Sequence, residues 1–228
     1  MSCSGNWHCS VSSRSSLHSS VSSRVSFNCI VSSQGSVLCS MSLRVNMHCS
    51  VSYGGSVHCS VSSSGSVHCS MSSRVFLNRS VSSKGIVHCS VSFRVSMHCI
   101  VSSSGSLHFS VSSRSNVYSS VSSRISFNCS VSSKGSVHCC MSFRVSIHCS
   151  VSPRGSVHFK ISLMGSVHSS VFSSGSAHCS VSSTRSVHSS VSSRVSLNCS
   201  LSSKGRVYCS MTFTISIHCS VSSRHSQQ

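Results

Sequence analysis

The chain has 228 residues, with 18 Lys and Arg, 16 His, 17 Cys and no Asp or Glu, for a formal charge of +18. Without a carboxylate there is no acidic general acid or base, no carboxylate to orient a catalytic His, and no site for Ca2+ or for most Mg2+. No Lys or Arg has a side-chain counter-ion, so the chain attracts polyanions such as nucleic acid, heparin-like chains or acidic membranes.

Its apolar runs reach about three residues, as at Val75-Phe76-Leu77. A membrane-spanning helix needs about 20 apolar residues, so none is expected. The first residues lack a charged segment followed by an apolar one, so the sequence offers no export signal. Seventeen Cys would suggest a disulfide framework in an exported chain. Here their spacing simply follows a repeat, and the compartment stays undetermined.

The repeat starts at once. Met1 to Ser10 is already one decamer, and further decamers follow in register up to a partial one at Val221 to Gln228, with the consensus V-S-S-R-G-S-V-H-C-S. The whole of 1–228 is one array without separate domains. Position one is always apolar (Val11, Met41, Ile161, Leu201), and position seven is apolar in every complete decamer (Val57, Leu107, Phe127, Ile147). Position nine is mostly Cys, with Ser, Phe and Arg79 as variants, while the even positions are mostly Ser, Arg or Lys, and His. Alternation at period two predicts half-buried strands, and an even-numbered repeat keeps one face inward throughout. Apolar residues six and four apart make no helical stripe, and Ser, Val and Gly are weak helix formers.

Position five is the natural turn, where Gly and Val exchange, as in Gly35, Val45, Gly55 and Gly85, Val95, Gly105. A two-residue hairpin there would mix Val with His on one face. A three-residue loop over positions four to six, or a solenoid bending one way, keeps the apolar face intact. Units with Val at position five carry no turn signal. The predicted ordered state is therefore a coil of two decamers, all-β and β-solenoid-like, or else a stack of short strands. About eleven coils rising about 4.8 Å each would make a rod of about 50 Å. No unit reads as a cap, which predicts open strand edges and self-association. The alternative to order is a low-complexity, largely disordered or aggregation-prone chain.

A second period runs through the array. Asn replaces His at Asn28, Asn78, Asn128 and Asn198, and Gln34, Lys84, Lys134 and Lys204 follow, so copies start near 21, 71, 121 and 191. Phe93, Phe143 and Phe213 come next in turn, with Leu43 in the first copy. Fifty residues is five decamers, an odd number, so a coil of two decamers would change sides at each copy. Duplication of the underlying DNA, not coil geometry, explains that period. The exchanges at position eight (His, Asn, Tyr and Leu38) are single-base neighbours with unlike chemistry.

Few motifs point to chemistry. His-Cys neighbours, such as His48-Cys49, His58-Cys59 and His68-Cys69, are zinc or copper ligand types. Adjacent strand residues point to opposite faces, however, so one pair does not chelate one ion. Stacked coils would instead put His columns outside and Cys columns inside. Nucleophilic catalysis needs one activated Cys-His pair and an orienting group, which equivalent units without carboxylates do not supply. Asn78-Arg79-Ser80, Asn128-Cys129-Ser130 and Asn198-Cys199-Ser200 match the glycosylation pattern but follow from the longer period. Trp7 reads as a drifted repeat residue. No catalytic, cofactor-binding or metal-ligating residue is predicted, and no cofactor. The expected protein is a non-enzymatic, low-complexity product of a tandem array, with no evolved molecular role. A disulfide-cross-linked structural protein is the alternative, and a non-specific polyanion binder a weaker one.

Overall fold

Positions seven, nine, one and three of the decamer share one side of an extended strand, and positions eight, ten and two share the other. The computed structural model describes residues 2–3, 7–24 and 26–224, with side chains from His8 onward; the Trp7 side chain lies outside it. Nearly every described unit forms this strand, running from the seventh residue of one decamer to the third of the next. In Val57–Ser63 each odd-numbered residue is buried and each even-numbered one exposed. No helix occurs among the described residues, and none is therefore long and apolar enough to cross a membrane.

Successive strands go to opposite sheets, one of twelve strands and one of eleven, and both sheets are parallel throughout. Each strand pairs with the strand twenty residues away, in register, as Val87 with Leu107, His88 with His108 and Cys89 with Phe109. The result is a β-solenoid of about eleven coils, each coil two decamers, as the alternation predicts. Parallel pairing excludes hairpins, so the three-residue turn over positions four to six links the two sheets rather than two paired strands.

The expectation that Val at position five carries no turn needs correction: Val45, Val75 and Val95 all sit in turns. Where position three is Ser, its buried hydroxyl ties the turn to the coil beneath, whereas the turns at Val45 and Val95 follow Leu43 and Phe93 and form without it. The Ser63 hydroxyl donates to the Val45 carbonyl of the preceding coil (2.9 Å) and accepts from the Gly65 N–H (3.1 Å). Ser83 and Ser103 repeat the arrangement one and two coils along, on Gly65 and Gly85. At most positions where a β-branched residue stands fifth the chain enters its strand early, though not after Val45, where the strand begins at Met47. After Val95, Ile125, Val145 and Val195 the next strand begins at Ser96, Ser126, Ser146 and Ser196.

Gly at position five answers a different need. No described Gly has positive φ. A Cβ on Gly105 would lie 2.4 Å from the Gly85 carbonyl oxygen, so glycine lets successive turns close on one another.

The core fills the space between the sheets with Val, Leu, Met and Ile from positions seven and one, and Cys from position nine. Where Ser at position three gives way to Phe, the ring enters this core: Phe143 stacks on Phe127 from the opposite sheet at 4.7 Å. The fifty-residue period changes sides as expected. Asn28 and Asn128 lie in the eleven-stranded sheet, Asn78 and Asn198 in the twelve-stranded one.

Candidate functional site

Stacking turns each repeat position into a column along the rod, and three columns carry chemistry. The first is position eight, outside. On the eleven-stranded sheet His48, His68, His88 and His108 stack ring on ring at 4.6–4.7 Å, within 9° of parallel. Asn128 interrupts the rings, and the stack resumes through His148, His168, His188 and Tyr208. The other sheet has its own stack of His98, Tyr118, His138, His158 and His178. His68, His88, His158 and His168 have their pKa values lowered, first by burial under neighbouring rings and then by repulsion from the adjacent imidazoles.

Beside the first stack lies an open groove of about 1430 Å3, lined from Asn28 to Ser210 by position-eight rings and position-ten serines. It is a succession of equivalent His and Ser subsites. Nothing in it converges as a catalytic centre must.

The second column is position nine, inside. The His and Cys of each pair do separate, His outward and Cys inward: Cys49, Cys59 and Cys69 are buried while His48 and His58 are exposed. Twelve of the sixteen described Cys are buried free thiols, and Cys140, Cys209 and Cys219 are exposed. Neighbours in a column touch, as where the Ser119 hydroxyl donates to Cys139 Sγ (3.1 Å). Among the described residues no three His or Cys converge to hold a metal ion.

Arg79 stands in this interior column with 1% of its surface exposed. Its Nη1 donates to Cys89 Sγ at 2.8 Å, and its Nε and Nη2 have no partner. Burial works against the guanidinium charge, but the thiols around it, Cys69 first, hold it protonated. Cys69 is drawn down to about 6, by a hydrogen bond from Cys49 and by Arg79, against the effect of burial. Cys89 is pushed up to about 11 by burial. The Arg79 guanidinium is thus a charge held inside the core, with the Cys69 thiol beside it drawn toward ionisation. At 5% exposure Cys69 is closed to any substrate from solution. The sequence marked Arg79 only as a variant at position nine; its burial follows from period two, which sends position nine inward wherever it falls.

The third column is position four, at the turns, and its residues are exposed cations in most coils. Spaced ten apart in the sequence, these charges look dispersed. The fold sorts them onto two edges and brings those on one edge within a coil rise of each other.

No protein-family model matches the chain, and comparison with curated proteins and with solved structures finds none similar to it.

Proposed function

We propose that the protein is a non-enzymatic structural element: a β-rod generated by duplication of a decamer-coding array, acting through its shape and uniform faces. The observation that carries this reading is the in-register pairing of every strand with the one twenty residues on, which repeats each side chain as a column. An enzyme assembles unlike groups at one place, whereas this chain spreads like groups along a line. Nor is there a carboxylate anywhere to polarise a His or to serve as a base.

A second reading, that rods are joined by disulfides, is favoured by the distribution of thiols. Cys140 projects from a flat sheet face, and Cys209 and Cys219 are exposed in the last strand of each sheet. These three are accessible to another molecule, while the buried columns are not. Self-association belongs to the same reading.

Small-angle X-ray scattering of the reduced protein tests the rod. The expected particle is about 50 Å long, from about eleven coils at about 4.8 Å each. A globular or expanded-chain profile removes the basis for a structural role. Turnover of any substrate that disappears on changing one His or Cys contradicts the non-enzymatic reading. Non-reducing gels test the joining of rods: cross-links that vanish in a C140S/C209S/C219S variant support it, and cross-links that persist, or none under oxidation, oppose it.

A further inference from the structure

We infer that one edge of the rod is a binding surface for an anionic polysaccharide, sulfated along its length. This inference rests on the solenoid and stands apart from the structural role. The turns that leave the eleven-stranded sheet carry Arg74, Arg94, Arg114, Lys134 and Arg154 in five successive coils, all exposed. The backbone holds them in register. The N–H of Arg114 donates to the Phe93 carbonyl (3.3 Å), that of Lys134 to Ser113 (3.1 Å) and that of Arg154 to Ser133 (2.9 Å). Five cations thus line up over four coil steps, about 19 Å at a strand spacing of about 4.8 Å. On the opposite edge the position-four cations come no more than two in succession, as Arg24 with Arg44 and Arg124 with Arg144, although Arg185 and Arg206 add charge beside Lys204.

The neighbouring columns decide which polyanion fits. Next to the cations the same sheet face shows two columns of exposed hydroxyls, with Ser92 and Ser112 at position two and Ser90 and Ser110 at position ten. The groove and its His rings follow. Single-stranded nucleic acid binds by stacking its bases on free aromatic faces. Here the ring faces are already stacked on each other, at 4.6–4.9 Å. A duplex is read by an element that enters its groove, and a flat sheet face offers none. Its phosphate tracks also wind away from a straight row. A sulfated glycan presents sulfates and sugar hydroxyls along one extended chain, which matches cations flanked by serine hydroxyls and imidazole edges.

The test uses the full chain and heparin as the probe. One variant, R94S/R114S/K134S/R154S, replaces four of the five cations in the row. Its control, R24S/R44S/R124S/R144S, removes the same charge from the other edge. Ser already occupies position four at Ser64, Ser104 and Ser174, so both variants keep a residue the turn accommodates, and circular dichroism checks that both fold. The row variant is expected to bind heparin about tenfold or more weaker at 0.15 M salt. Its slope of log affinity against log salt should fall by about three to four, near one per cation lost. The control should weaken binding by no more than about threefold. Equal losses in the two variants would overturn the edge assignment and leave net charge alone. Wild-type protein that fails to bind heparin at that salt, or that binds a single-stranded oligonucleotide of equal charge more tightly, would overturn the glycan assignment.

Discussion

Arg79 is the residue most at odds with its surroundings. A single codon change has put a guanidinium where neighbouring coils have Cys59 and Cys99, facing Cys69 and Cys89, with two nitrogens unpartnered. Leaving a buried donor without a partner costs about 1–3 kcal/mol, and more for a charged group. Arg79→Cys restores the column, so stability should rise by about 1–3 kcal/mol, read as a higher urea midpoint with the denaturant slope unchanged. Arg79→Leu should do nearly as well. A drop in midpoint for both variants would mean that the guanidinium–thiol contact stabilises the rod. The position of Arg79 was legible in the sequence, because period two sends every ninth residue inward. Its unpaired nitrogens were not, since they depend on how far two facing sheets stand apart.

At the scale of the strand, the stacked imidazoles set the response to acid. With no Asp or Glu, no side-chain carboxylate titrates below neutrality, and the 16 His stand almost alone. His68, His88, His158 and His168 have folded pKa values below the ordinary 6.5. The unfolded chain therefore takes up protons first. The stability from these rings is fully present above about pH 6.5 and is lost as pH falls through the lowered folded values. The thermal midpoint should decline between about pH 7 and pH 5 and flatten below that, without the second, carboxylate-driven fall common in acid denaturation. A variant with Ser for His at 68, 88, 158 and 168 should lose much of that slope; an unchanged slope would assign the acid response to other groups. The strands themselves, their ends and the coil length were readable from alternation. The place of the turn at positions four to six was legible too, but not its indifference to Gly at position five, which was the expected signal. Where position three is Ser, its hydroxyl accepts from the N–H two residues on within the turn, and its second partner, as the Val45 carbonyl for Ser63, exists only once a preceding coil lies beneath it.

The whole molecule inherits its tolerance to length changes from the decamer. Both sheets are made from the same unit, so removing one complete decamer, such as 111–120, moves every later strand to the opposite sheet and still buries positions seven, nine, one and three. Removing Ser110 alone is different. It falls inside the strand Leu107–Ser113, and a shift of one residue turns Val111 and Ser113 outward. Chemical denaturation should show the ten-residue deletion near the parent, with a slightly smaller denaturant slope, and the one-residue deletion far below it. A ten-residue deletion as harmful as the single one would mean that the two sheets are not interchangeable. The rod is also where sequence reading fell short on charge. One cation in ten residues looks dilute along the chain, and only the return of the backbone every twenty residues converts it into an edge.

That interchange of sheets gives each face a parity. A decamer counted from the start belongs to one sheet if its number is odd and to the other if even, and Asn28, Asn78, Asn128 and Asn198 show the assignment flipping with each copy. Growth by an odd number of decamers therefore shuffles the two faces and breaks any column that had begun to specialise. Growth by an even number lengthens each column in place. The unbroken cation row from Arg74 to Arg154 spans such an odd step and survives it because cations recur at position four on both sides of the junction. An odd step keeps the row only where cations stand at position four on both sides of it, so selection for the row would favour further duplications in pairs of decamers, and comparing array lengths among alleles would reveal an excess of twenty-residue steps where the row is kept.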